Sequence, residues 1–209
     1  MLVMEFIETQ RTTEDFYQAF GRQLANQHRC TSSSFGFRES NFIGLLNQSN
    51  RPYDTWHAFY AEERILPQVK LAIGNGYLTM KDLAMAESLC IRLEEIYPSE
   101  KAALLHGDLW SGNYLCTTDG EVVLIDPSVY YGNREMDIAM SLLFGGFSPS
   151  FYSSYEESYP LVGNWRKRVP IGQLYYLLVH VNLFGTTYVP GVRRVLARFG
   201  DSGGGLTSL

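Results

Sequence analysis

The chain has 209 residues, 45% of them apolar and 19% charged, with a net charge of −5. That length lets one domain bury roughly 70% of its unfolded surface without disulfide or metal staples. The acidic balance, with basic clusters confined to residues 166–168 and 193–194, excludes a nucleic-acid-binding face, which needs many cations on one side. Cys30, Cys90 and Cys116 are widely spaced and form no C-x-x-C pair, as expected of free thiols in a reducing compartment. The start, MLVMEFIE, has no basic segment of a secretion signal, and no apolar run reaches the length of a membrane span. These features point to the cytoplasm and to no membrane partner.

In chain order, residues 1–8 predict a short strand that ends in charge. Thr12 or Thr13 then caps a helix in which Phe16, Phe20 and Leu24 recur every four residues. Residues 29–53, rich in Ser, Asn, Gly and Arg, predict a long irregular stretch. A second helix starts at Asp54, is kinked by Pro67 and stops at Gly74–Gly76. A third opens at Thr79 and carries Leu83, Ala86, Leu89 and Leu93 on one face. The pattern then changes. Residues 103–106 read as extended, and 114–116 and 122–125 flank an Asp119-Gly120 turn, a good hairpin signal. Helical pattern resumes at 135–144, 151–155, 173–188 and 190–199, and residues 200–209 read as a flexible tail. The prediction is a mainly α fold with a small β-hairpin, of the α+β class, carrying a polar constellation.

That constellation is HGDLWSGN (106–113), LIDP (124–127) and REMD (134–137). Taken singly, its members are commonplace: Asp after Gly makes turns, Asp-Pro ends strands, and Asp near a helix start caps it. Taken together they match the parts that phosphoryl transfer needs. A carboxylate, Asp108, orients the attacking hydroxyl and accepts its proton. Oxygen ligands for Mg²⁺ come from Asn113 and from Asp126, which the hairpin carries back towards each other. Asp137, at the next helix start, accepts backbone N–H groups of the 106–112 loop and holds its shape.

The order H-G-D-x-x-x-x-N, hairpin, I-D resembles the kinase catalytic loop and the metal-binding Asp after it. With Gly rather than Arg after the His, it resembles the aminoglycoside and choline kinase branch of small-molecule phosphotransferases. Residues 2–7, FGFRESNFIGLLNQSN (35–50), WHAFY (56–60), HGDLWSGN, LIDPSVYYGNREMDIAM (124–140), LLFGGF (142–147) and the helix 173–188 together resemble the fructosamine kinase (ketosamine-3-kinase) family, to about residue 199. The resemblance implies a protein-kinase-like fold and transfer of a phosphoryl group from ATP, with Mg²⁺, to a sugar hydroxyl of a ketoamine. The acceptor is then a small glycated amine or a glycated protein lysine, and the phosphorylated adduct falls apart to release the amine.

Carried over residue by residue, the resemblance makes Asp108 the base and Asn113 and Asp126 the metal ligands. It makes Met4, Glu5 and Phe6 the hinge whose backbone meets adenine. Trp110 is either an anchor in the core or a wall of the sugar site. Tyr130 and Tyr131 line the acceptor pocket or pack, and residues 35–50 cover the acceptor side. His106 is structural, and His28, His57 and His180 are helix-face or core histidines.

One departure from the family is large. No Gly-rich phosphate loop and no strand Lys precede the hinge, so the chain resembles a C-terminal lobe (9–199, with catalytic hairpin 104–126) joined through residues 1–8 to an N-terminal β lobe that it lacks. The expectations are weak or absent turnover and self-association through an exposed interlobe face. The alternatives are another small-molecule kinase, of aminoglycoside or choline type, which needs an acidic pocket for which the sequence offers Glu156 and Glu157, or a non-catalytic truncated relic or binding module.

Overall fold

A computed structural model describes residues 5–200. Met4, the first of the three hinge residues, lies outside them, as do Met1–Val3 and residues 201–209, nearly all of the expected tail. Helix α1 (Glu14–His28) is capped by the Thr13 hydroxyl, which accepts from Phe16 N–H, and it buries Phe16, Phe20 and Leu24. The cap and the four-residue spacing act together here. The strand expected over 1–8 does not appear in its described part. Residues 5–8 carry no regular structure, and the chain first finds a partner at Thr9, which bridges Thr117, and at Gln10, whose N–H donates to Cys116 O.

Residues 29–53 are more ordered than their composition predicts. They hold β1 (Thr31–Ser32) and a tight hairpin of β2 (Asn41–Ile43) and β3 (Leu46–Gln48). Helix α2 (Trp56–Phe59) runs through a π-helical segment (Tyr60–Ile65) into α3 (Leu66–Gly74). Pro67 explains the wide turn. It has no N–H to give, and the Leu66 N–H instead reaches five residues back to Ala61 O. Helix α4 (Met80–Ile96) starts in a full capping box, Thr79 with Asp82.

Strand β4 (Ala102–Leu105) lies between β1 and β7 (Tyr130–Gly132) in an antiparallel sheet, with Ala103 opposite both Thr31 and Gly132. The hairpin of β5 (Tyr114–Cys116) and β6 (Val122–Leu124) forms as predicted. Helices α5 (Glu135–Phe144), α6 (Pro149–Ser158), α7 (Trp165–Phe184) and α8 (Val189–Phe199) complete the fold. Helix α7 begins eight residues earlier than predicted and passes through Pro170. Its first turns are held by the buried Trp165 and by Arg168, which forms a two-pronged ion pair with Glu135 of α5 at 2.6 and 2.8 Å.

Two apolar cores result. The larger joins α2–α4, α7 and α8 beneath the sheet. The smaller joins α1, α6, Leu109, Cys116 and Ile138. Helix α5 contributes to both, with Met136 and Met140 in one and Ile138 in the other. The loop 106–113 leaves β4 at this junction. Among the described residues no helix is long and apolar enough to cross a membrane.

Candidate active site

The loop after β4 is shaped by one buried carboxylate. Asp137, without solvent exposure, accepts from His106 N–H at 2.8 Å through Oδ2 and from Gly107 N–H at 2.9 Å through Oδ1. His28 Nε2 meets the same Oδ2 at 3.2 Å, and its Nδ1 meets the Tyr155 hydroxyl at 2.7 Å. Burial by itself would raise the Asp137 carboxyl, but the hydrogen bond and charge of His28, the nearby His106 and the Gly107 N–H hold it below its ordinary value. The supporting role expected of Asp137 matches this geometry, and His28 adds a helix-borne prop.

Gly107 has φ +84°, and a Cβ there would lie 2.0 Å from Ser128 O. Only glycine allows the loop to pass this close to the segment after Asp126. The His106 ring braces the same passage. Its Nε2–H donates to Ile125 O at 3.0 Å while Nδ1 accepts from Asp108 N–H at 3.3 Å. A carbonyl can only accept, which settles the tautomer. Leu109 then buries fully in the smaller core and pins the loop from below.

Asp108 is partly buried, and its carboxyl is pushed up to about 6. Burial is the main cause; the charges of Asp137 and Asp126 add to it, and the Asn113 hydrogen bond opposes it. Asn113 donates its Nδ2 to Asp108 O at 2.9 Å and to Asp108 Oδ2 at 3.2 Å. Its Oδ1 accepts no hydrogen bond among the described residues. The Ile125 N–H donates to Asn113 O at 3.1 Å, which sets Asp126 beside Asn113 across the hairpin. Asp126 is exposed and left-handed, with φ 49°. Asp tolerates that conformation better than most residues, at a cost of order 1 kcal/mol. Among the described residues no three His, Cys, Asp or Glu side chains cluster to hold a metal. An amide oxygen plus one carboxylate is instead the sparse hard-oxygen set that suits Mg²⁺, which keeps several waters and takes phosphate oxygens.

A cavity of about 340 Å³ opens next to Asp108. Its walls are Trp110, Met140 and Phe144 on one side, Tyr176, Val179, His180 and Leu183 of α7 on the other, and Ile43–Gly44 at the tip of the β2–β3 hairpin. Trp110 is 38% exposed, with its ring over Gly112, where any Cβ would fall within 2.3 Å of the ring carbons. It lines the cavity and is not an anchor in the core. The hairpin tip likewise puts part of residues 35–50 on the cavity.

Both tyrosines take the packed one of their two expected placements. Tyr130 is fully buried under the Arg64 guanidinium, 4.1 Å from its ring centroid, and has no face on the cavity. Tyr131 points to the other side of β7 and packs on Phe37. The alternation of a strand explains both, and this strand was not legible in YYG. His180 is the reverse case. Read as a core or helix-face residue, it stands on the cavity wall, with Nδ1 bonded to Tyr176 O at 2.8 Å, its ring among Phe144, Phe184 and Tyr188, and burial lowering its imidazole. Its place on α7, four residues after Tyr176, was the available signal. Of the hinge residues, Glu5 and Phe6 are both exposed.

A family model described as fructosamine kinase matches residues 1–201. A protein from Enterococcus faecium named "Probable ketoamine kinase" is 40% identical over 207 residues, covering 95% of this chain and 71% of its own length. The chloroplastic protein-ribulosamine 3-kinase of Arabidopsis thaliana is 36% identical over 192 residues, or 90% of this chain and 58% of the relative. The chain thus spans between about half and three quarters of these relatives. A crystal structure of a fructosamine-3-kinase homologue from Thermobifida fusca superposes with a TM-score of 0.86 at 40% identity, covering 93% of this chain and 69% of that one. A choline kinase from Streptococcus pneumoniae, at 14% identity and TM-score 0.59 (92% of this chain, 69% of that one), shares the protein-kinase-like fold. The chain belongs to the fructosamine kinase family.

Proposed function

We propose that this chain carries the acceptor and catalytic half of an ATP-dependent ketoamine kinase. The observation that carries the reading is Asp108, a carboxylate with a raised pKa locked to Asn113 and bordering an apolar cavity of sugar size. Asp108 faces the acceptor hydroxyl and accepts its proton as the oxygen attacks the γ-phosphorus. The bond to the β-phosphate oxygen breaks and ADP leaves. Asn113 Oδ1 and Asp126 hold Mg²⁺, which when bound neutralises charge on the phosphates. Asp137 and His106 keep the loop in place through the reaction. Trp110 and His180 flank the sugar, and the backbone of Glu5 and Phe6 meets adenine.

The lining supports this acceptor class. Asp108 is the one carboxylate among the residues lining this cavity. Glu156 lies on a different cavity, between α5, α6 and α7. A polycationic aminoglycoside would lack the acidic partners it needs, whereas a ketoamine sugar with one amine does not require them. The test is phosphorus NMR of the protein mixed at stoichiometric concentration with ATP, Mg²⁺ and a fructosyl-amine. A new sugar-phosphate resonance in wild type, absent in Asp108→Asn, supports the reading; ATP that loses phosphate only to water, or a sugar-phosphate resonance that persists in Asp108→Asn, overturns it.

A further inference from the structure

The segment 35–50 marks the family resemblance, yet no chemistry above uses it beyond the tip of its hairpin. Within it Gln48 and Asn50 are buried, Asn41 is partly buried, and all three are hydrogen-bonded. Gln48 donates Nε2 to Asn41 Oδ1 at 2.8 Å and to Ser128 O at 3.1 Å, while its Oε1 accepts from the Tyr175 hydroxyl at 2.7 Å. Asn41 donates to Val129 O at 2.7 Å, and Asn50 joins Asn41 Oδ1 to the buried Arg64. Ser128 returns the contact, its hydroxyl donating to Phe42 O at 2.9 Å. Ser128 is also the residue whose N–H donates to His106 O and whose carbonyl abuts Gly107. The hairpin that forms one cavity wall and the loop that carries Asp108 are therefore hydrogen-bonded to the same residue.

We propose that Gln48 is a positioning residue for the acceptor: through Ser128 it fixes the spacing between the Ile43–Gly44 wall and Asp108. The inference rests on the ketoamine reading above. An apolar side chain of equal length would fill the space of Gln48 but leave Ser128 O, within the interior, without this donor. The hairpin would then be tied to the loop only through Asn41 and the Ser128 hydroxyl, and the wall would drift. The nucleotide side, built from Asn113 and Asp126, has no direct bond to Gln48 and should not sense the change.

The test is ligand binding, which does not require turnover. Wild type, Gln48→Met and Ser128→Ala are titrated with a fructosyl-amine and separately with Mg-ATP, each binding followed by isothermal titration calorimetry. A Thr79→Ala variant, which loses a helix cap that does not line the cavity, serves as the control for lost stability. Gln48→Met is expected to weaken fructosyl-amine binding about tenfold and Ser128→Ala about threefold, with Mg-ATP affinity within twofold of wild type. Thr79→Ala should lower Tm and leave both affinities alone. Unchanged fructosyl-amine affinity in Gln48→Met, or an equal loss in Thr79→Ala, overturns the role of Gln48. If wild type binds no fructosyl-amine, the ketoamine reading itself falls, and this role with it.

Discussion

The loop that carries Asp108 and the cavity wall facing it are built in opposite ways. On the loop side His106, Asn113 and Asp137 are buried and hydrogen-bonded. Asp137 alone takes three hydrogen bonds, and Gly107 leaves no room for a side chain. On the wall side the surface is aromatic and open, with Phe144 and Trp110 about two-fifths exposed and Phe184 65% exposed. Proton transfer tolerates little misplacement, so its groups are over-determined by buried hydrogen bonds. Recognition of an acceptor tolerates more, and apolar faces supply it without a fixed register. Substitutions on the two sides should thus fail differently.

The largest expected effect is Asp108→Asn, which should lower the phosphotransfer rate by about 10²- to 10⁴-fold. It should not destabilise the fold. The Asp108 carboxyl titrates at about 6 against an ordinary value of 3.8, so the folded state holds that proton more tightly than the unfolded one, and its ionised form costs stability above about pH 6. A Tm at pH 7 equal to or above that of wild type, by thermal scanning, checks this. A sharp loss of Tm would make Asp108 a structural residue and erase the contrast.

Next is Asp137→Ala, expected to cost about 3–5 kcal/mol because it strands His28 and two loop N–H groups in the interior. The sign is opposite to that of Asp108. The depressed Asp137 carboxyl stabilises the fold above its ordinary value of 3.8, and that contribution is lost as pH falls through its lower folded value. Urea unfolding at pH 7 measures the loss. Leu109→Ala should cost about 2–5 kcal/mol by leaving a cavity under the loop, with m unchanged. The smallest effect belongs to the wall. Trp110→Ala should raise the acceptor KM about tenfold with kcat nearly unchanged and stability within about 1 kcal/mol of wild type, as steady-state kinetics and a thermal scan would show. A larger drop in kcat than in affinity would move Trp110 to the chemical side of the comparison.

The same division decides what was legible in the sequence. The loop side could be read because its requirements are local and type-specific: Gly107 and Asp108 in a fixed order, Asn113 five residues on, an Asp-Gly turn to close the hairpin, and Asp137 at a helix start. The capping residues Thr13 and Thr79 were legible for the same reason. The wall was not. His180 and Tyr176 reach the cavity only because α7 crosses near the loop, a matter of packing that no short window records. Strand β7 has three residues and pairs with β4 from 27 positions away at Leu104 and Tyr131, so Tyr130 gave no sign that it faces the core. Helix α7 crosses Pro170 because the Arg168–Glu135 pair and the buried Trp165 hold its first turns, a tertiary effect that outweighs the local signal.

The central claim is that Asp108 is the proton acceptor at the edge of the acceptor cavity. The pH dependence of the single-turnover phosphotransfer rate, at saturating ATP, Mg²⁺ and fructosyl-amine, tests it most directly. The account predicts a rate that falls tenfold per unit on the acid side of a limb near pH 6, because protonated Asp108 cannot take the hydroxyl proton. A rate that stays level down to pH 5, with the protein still folded, would contradict it.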